Sequence, residues 1–280
     1  MKPVQPLEVL RRPDRTELEP EVISAEPVKI EAKGISKIYS SKKSDFVALD
    51  SVSFDIRNHE FVSFVGPSGC GKSSLLRILA GLEDASSGEL RIAGHEIDGP
   101  GADRGMVFQS YTLFPWLTVR ENIEFGLTLK GIPLFEKRWI SDHFMELVQL
   151  MKFAKSYPKE LSGGMKQRVA IARALANNPE VLLMDEPFGA LDPQTKGSMQ
   201  EMLLQLWEKE KTTIVFITHD IEEAIFLSQR VHVMQAHPGR IKHTVQIPSS
   251  LRKSVDGRDS EAFLRMKRQI VAQIGETSAH

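Results

Sequence analysis

The chain has a single cysteine, Cys70, so it cannot form an internal disulfide and has no cysteine pair with zinc-ligand spacing. It also lacks any apolar run near the roughly 18 residues that a membrane span requires. Charge of one sign is missing too: 36 basic residues face 37 acidic ones, and a formal net charge of -1 gives no global field to attract nucleic acid. No unit recurs along the chain, which excludes solenoids and propellers. The proline-broken start has no apolar h-region of the signal-peptide kind. These absences lead to the expectation of a soluble chain in a reducing, cytosolic compartment. Its 280 residues leave room for one large core with a subdomain.

What is present centres on Gly66-Pro67-Ser68-Gly69-Cys70-Gly71-Lys72-Ser73, followed by Ser74, which fits G-x-x-x-x-G-K-[ST]. The half-apolar run 60–65 reads as a strand and 72–82 as a helix, the context a phosphate-binding loop needs. Glycines at 66, 69 and 71 let the backbone curl with its N–H groups inward, and the helix N-terminus adds a positive dipole end. Lys72 supplies a full charge for β/γ-phosphates, and the Ser73 hydroxyl is placed to ligate Mg²⁺. Beside that lysine and helix start, the Cys70 thiolate is expected to be favoured and readily alkylated.

Residues 1–28 carry five prolines among many charges, with no sustained period, and read as a disordered leader. From 29 the pattern is α/β. Segments 29–39 and 48–56 suggest an antiparallel pair joined by a variable loop, 89–93 a strand after the turn signal 86–88, and 104–109 a core strand. Between 118 and 157 the spacing is helical, with Val119, Ile123 and Leu127 on one face, so residues 111–176 read as a helical subdomain inserted into the core and closed by a helix from 165 to 176. Strand 181–184, helix 193–207, strand 212–218, helix 221–228 and strand 231–234 then alternate, which argues for a mainly parallel sheet covered on both faces and one domain over 29–250. In the remaining stretch, 251–280, Phe263, Met266, Ile270 and Ile274 fall at helical spacing and predict an amphipathic helix that packs on the core.

Other residues bear on the same chemistry. The apolar run 181–184 leads into Asp185-Glu186-Pro187, where a strand-end carboxylate at 185 suits a metal's water shell and Glu186 can polarise an attacking water. The following proline biases Glu186 to extended backbone. Thr218-His219-Asp220 and Gln109 also end strands at the ligand-bearing sheet edge, although a lone histidine is more often structural. Leu161-Ser162-Gly163-Gly164 opens a helix as a second glycine-rich nest, which either caps that helix only or faces the nucleotide of a two-fold-related chain.

Together these motifs resemble the ATP-binding subunit of an ABC transporter over about residues 28–245. Residues 66–73 are similar to its Walker A motif, and Leu161-Ser162-Gly163-Gly164-Met165-Lys166-Gln167-Arg168 to its signature. Residues 181–187 resemble Walker B with the catalytic glutamate, Gln109 the Q-loop, Asp192 with residues 189–191 the D-loop, His219 the switch histidine, and Tyr39 the aromatic that stacks on adenine. The resemblance implies a P-loop NTPase fold and a homodimer with two ATP molecules held between Walker A of one subunit and the signature of the other. It also implies Mg²⁺ on Ser73, Gln109 and Asp185, with Glu186, His219, Lys72 and Gln109 serving hydrolysis. The implied partners are transmembrane permease subunits and an extracytoplasmic solute-binding protein, with the chain peripheral on the cytoplasmic face of the inner membrane and no nucleic acid bound. Residues 114–122 and 237–240 resemble the nitrate, sulfonate and taurine importer branch. The same fold also serves soluble ATPases of DNA repair and translation, but those usually carry a long coiled-coil insertion or a second ATPase unit, and neither is present.

Overall fold

The computed structural model describes residues 26–40, 44–252 and 255–275. Two sheets organise it. The smaller is antiparallel, with β1 (Val28–Ser40), β2 (Asp45–Arg57), β4 (Ser87–Ile92) and β5 (His95–Glu96) in the order β2-β1-β4-β5. The larger contains β3 (Phe61–Val65), β6 (Arg104–Val107), β7 (Val181–Asp185), β8 (Thr213–Thr218), β9 (Arg230–Gln235) and β10 (Arg240–Gln246) in the order β10-β9-β3-β8-β7-β6. Every neighbouring pair in it is parallel except β9 and β10.

The central strands are apolar throughout because both of their faces are covered. Phe61, Leu182, Met184, Ile214 and Phe216 face one core, shared with α4 (Gly163–Ala176), α5 (Pro193–Glu210) and α6 (Ile221–Leu227). Val62, Phe64, Leu183, Val215 and Ile217 face the other, shared with α1 (Lys72–Leu79) and the antiparallel sheet. Strand period two thus sorts adjacent residues into opposite cores. At their carboxyl ends β3, β7 and β8 release residues 66, 186 and 219 along one edge, where open parallel sheets place ligands.

The helical stretch after β6 forms α2 (Val119–Leu129), α3 (Leu134–Leu147) and 3₁₀ turns at Met151–Phe153 and Pro158–Glu160. A reciprocal cap starts α2: Glu121 N donates to Thr118 Oγ1 at 3.3 Å and Thr118 N to Glu121 Oε2 at 2.8 Å. Val119, Ile123 and Leu127 are buried as their spacing predicts.

Several boundaries differ from the sequence reading. Helix α1 stops at Leu79 rather than 82, because Gly81 takes φ +70° and its Cα passes so close to Gly99 that a Cβ would lie 2.1 Å from the Gly99 carbonyl oxygen. Strand β4 begins at Ser87, within the expected turn. Strand β6 is an edge strand, mostly half-buried, and ends at Val107. Both β5 and β10 went unread. Helix α7 (Glu261–Gly275) buries Phe263 and Ile270 in the same core as α6, as expected. Of the expected leader, residues 1–28, the first 25 lie outside those described, whereas its described end is tied down: Asn58 N donates to Pro27 O at 2.9 Å and Val28 opens β1.

Candidate functional site

Strand β3 delivers its last residue, Val65, to a loop that α1 closes. Gly69 (φ +77°) and Gly71 (φ +88°) occupy the left-handed region, and a Cβ on Gly71 would also lie 2.6 Å from Ala48 O. Among the described residues no backbone acceptor takes the N–H groups of Gly69, Gly71 and Ser73, which leaves donors at a helix N-terminus. Lys72, only 6% exposed, arches back so that Nζ lies 2.8 Å from Gly66 O and 3.0 Å from Pro67 O. This cradle fits a polyphosphate.

Cys70 departs from expectation. It is fully buried, with Lys72 Nζ 3.5 Å from Sγ, and burial pushes its thiol up while the lysine pulls it back only in part. A favoured, readily alkylated thiolate is therefore overturned, because dehydration outweighs the nearby charge.

Across from the loop, the Ser73 hydroxyl donates to Asp185 Oδ1 at 3.3 Å. Burial pushes the Asp185 carboxyl up; the Ser73 bond opposes this and the neighbouring Glu186 charge adds to it. A hydroxyl and two adjacent carboxylates form a hard-oxygen set short of positive charge, which fits Mg²⁺. Glu186 is not extended as its proline neighbour suggested. It takes φ +42°, a strain of about 1–2 kcal/mol for a side-chain-bearing residue, enforced by hydrogen bonds from its N–H to Ile217 O (2.9 Å) and from Gly189 N to its carbonyl (3.1 Å). That turn aims Oε2 to within 3.1 Å of His219 Nδ1. The Gln109 amide lies over Gly189, 3.2 Å from where a Cβ would stand, a point 3.8 Å from Glu186 Oε2. Gln109, two residues beyond β6, thus converges with Asp185, Glu186 and His219 at the ends of β7 and β8.

Tyr39 ends near α1: its hydroxyl donates to Glu83 Oε2 at 2.6 Å and lies 3.0 Å from Ser74 Oγ. The ring therefore sits beside the phosphate loop. The β9–β10 turn, which contains residues 237–239, braces that loop from behind. Asp50 N donates to Gly239 O at 2.9 Å, and a Cβ on Gly239 would lie 2.4 Å from both Ala48 O and Cys70 O.

Residues 161–168 find their partners elsewhere. Ser162 caps α4, accepting from Met165 N at 3.3 Å, and Arg168 donates to Val148 O at 3.2 Å. Gly163 approaches the Tyr111 hydroxyl and Gly164 the Thr195 methyl so closely that a Cβ would lie 2.8 and 2.5 Å away. Ser162 is exposed, and Gly163, Met165, Lys166 and Arg168 are half-buried. Leu161 and Gln167 are buried beneath them. Asp192 is exposed and caps α5, accepting from Thr195 N at 3.0 Å. Of the aromatics that follow Gln109, Tyr111 packs on Gly163 and Phe114 on Phe125, with ring centroids 4.3 Å apart, whereas Trp116 stands 69% exposed. Beside them a cleft of about 510 Å³ is lined by residues that include Thr112, Phe114, Phe125, Leu129 and Arg173.

A family model described as ABC transporter matches residues 49–189. The chain is 51% identical to the nitrate import ATP-binding protein NrtD of Synechocystis sp. over 221 residues, 78% of this chain and 83% of that protein. It is 46% identical to the aliphatic sulfonates import ATP-binding protein SsuB of Bacillus cereus over 242 residues, 86% of this chain and 93% of that one. A dimeric ATP-binding cassette in a post-hydrolysis state, bound to ADP and Pi, superposes with a TM-score of 0.70 at 34% identity, covering 79% of this chain and 99% of that one.

Proposed function

Because the chain belongs to the ABC transporter family and is its ATP-binding, ATP-hydrolysing subunit, we propose that it powers import of nitrate, a sulfonate, taurine or a related small solute. The observation that carries this is 46–51% identity, over about four-fifths of the chain, to subunits named for nitrate and sulfonate import. The family assignment sets aside a soluble ATPase of DNA repair or translation. No helix among the described residues is long and apolar enough to cross a membrane, so permease partners must supply the path.

The residue roles follow from the site. Residues 66–74 hold the phosphates of ATP, with Lys72 adding charge and Tyr39 facing the base. Ser73, Asp185 and Gln109 would hold Mg²⁺, which when bound neutralises charge on the phosphates. Glu186 accepts the proton of the attacking water, and His219 meets the γ-phosphate and steadies Glu186. The signature segment 161–168 (Leu161, Ser162, Gly163, Gly164, Met165, Lys166, Gln167 and Arg168), with Asp192, acts on the nucleotide of the second subunit, a reading supported by the exposed Ser162 and Asp192. The functional unit spans 29–250 with 111–176 as its helical subdomain, 251–280 as its C-terminal element and 1–28 as a leader. It lies peripherally on the cytoplasmic face of the inner membrane and works with a solute-binding protein on the far side.

Deleting the gene in a strain without a redundant transporter tests the solute. Growth should fail with at least one of nitrate, an alkanesulfonate or taurine as sole nitrogen or sulfur source. Unimpaired uptake of all three rejects the solute class. For the chemistry, Glu186→Gln should keep ATP binding while losing about 10²–10⁴-fold in turnover, and near-normal turnover in the permease complex rejects Glu186 as base.

A further inference from the structure

His219 reaches Glu186 from a segment with little cover: its side chain is 64% exposed, so its own packing does not hold it in place. Its two neighbours are held. Thr218, buried at the end of β8, donates its hydroxyl to Glu223 Oε2 and accepts from Asp220 N at 3.0 Å. Asp220 caps α6, with Oδ1 accepting from Glu222 N at 2.9 Å and Glu223 N at 3.3 Å, while Oδ2 takes Lys196 Nζ at 2.7 Å. The same ammonium lies 2.8 Å from Glu223 Oε1, an oxygen that also accepts from Gln200 Nε2 at 3.1 Å. Glu223 is only 3% exposed. A carboxylate at that depth is tolerated when its oxygens are paired, and both of these are, by groups from α5 and the end of β8.

Lys196 lies near the start of α5, in the turn that Asp192 caps and whose Thr195 methyl covers Gly164. One rigid turn therefore touches residues 161–168 on one side and grips the junction that carries His219 on the other. We infer that Lys196 and Glu223 are positioning residues for His219, fixing the strand-to-helix junction from which it meets Glu186. The inference rests on the reading of Glu186 and His219 as the hydrolytic pair.

The test compares Lys196→Met, Lys196→Arg, His219→Ala and the double variant Lys196→Met/His219→Ala as full chains in the permease complex. Lys196→Met should lower kcat about tenfold or more with KM and ATP affinity within about twofold, and Lys196→Arg should restore most of it. In the His219→Ala background, Lys196→Met should change kcat no further, since a residue that acts only through another has nothing left to act on. Equal loss in both backgrounds, or a wild-type kcat for Lys196→Met, overturns the inference while Glu186 and His219 keep their roles. A wild-type kcat for His219→Ala overturns the hydrolytic-pair reading and the inference with it. Should Lys196→Met fail to fold, Thr218→Val removes the hydroxyl that ties Glu223 to the residue before His219 and is expected to show the same pattern.

Discussion

Gly239→Ala probes the wall behind the phosphate loop. The new Cβ would stand 2.4 Å from both Ala48 O and Cys70 O, against ordinary carbon–oxygen contacts of about 3.3–3.6 Å. Both obstacles are backbone, one in β2 and one inside the loop, so no side chain can swing aside. Overpacking of this kind costs about 1–3 kcal/mol. Cys70 lies between the glycines of the phosphate loop, and β2 is locked to β1, so the loop is the softer of the two obstacles. If the loop takes the whole displacement, about 1.4 kcal/mol per tenfold gives a roughly 5- to 150-fold rise in Kd for ATP. Titration of a fluorescent ATP analogue into the purified chain measures it, alongside a thermal melt without nucleotide. Weakened binding with a lowered Tm is expected. A lowered Tm with unchanged Kd means that the turn yields outward and braces nothing, which refutes the reasoning.

Cys70, fully buried and with its thiol pushed up, should react slowly with a maleimide in the native chain and at an ordinary rate in denaturant; rapid native labelling contradicts the burial. Burial first, and then Glu186, holds the Asp185 carboxyl above the ordinary aspartate range, so its contribution to stability is fully present below that range and is lost as pH rises through the raised value. Asp185→Asn should accordingly raise the Tm of the nucleotide-free chain at pH 7, by a margin that shrinks in acid, while weakening Mg²⁺-dependent ATP binding; a less stable variant at pH 7 rejects the argument. Trp116→Ala, which removes an exposed ring beside the cleft of the helical subdomain, should weaken permease association while ATP affinity of the isolated chain stays nearly the same. Loss of folding stability with normal assembly would place Trp116 in the subdomain's own packing instead.

The sequence by itself determined the phosphate loop, the order of the strands and helices other than β5 and β10, and the identity of Asp185, Glu186 and His219 as strand-end residues. Contiguous motifs and periods of two and 3.6 residues are local properties, and they survive folding because each segment buries the face its own pattern presents. What lay beyond it were relations between distant segments. The edge position of β6 depends on which strand finds a place beside it, and the pairing of β10 on a turn that must clear Ala48 and Cys70. Position beside a lysine suggested a reactive Cys70, yet packing that removed water from the sulfur decided otherwise. Glu186 was biased towards extended backbone by its proline, but a hydrogen bond that its N–H donates to Ile217 O of the neighbouring strand turned it into the left-handed region and towards His219. Lys196 and Glu223, 27 residues apart on two helices, meet only because α5 and α6 pack on the same face of the sheet. Burial and pairing depend on what the rest of the chain brings alongside a residue, so only the tertiary structure could decide them.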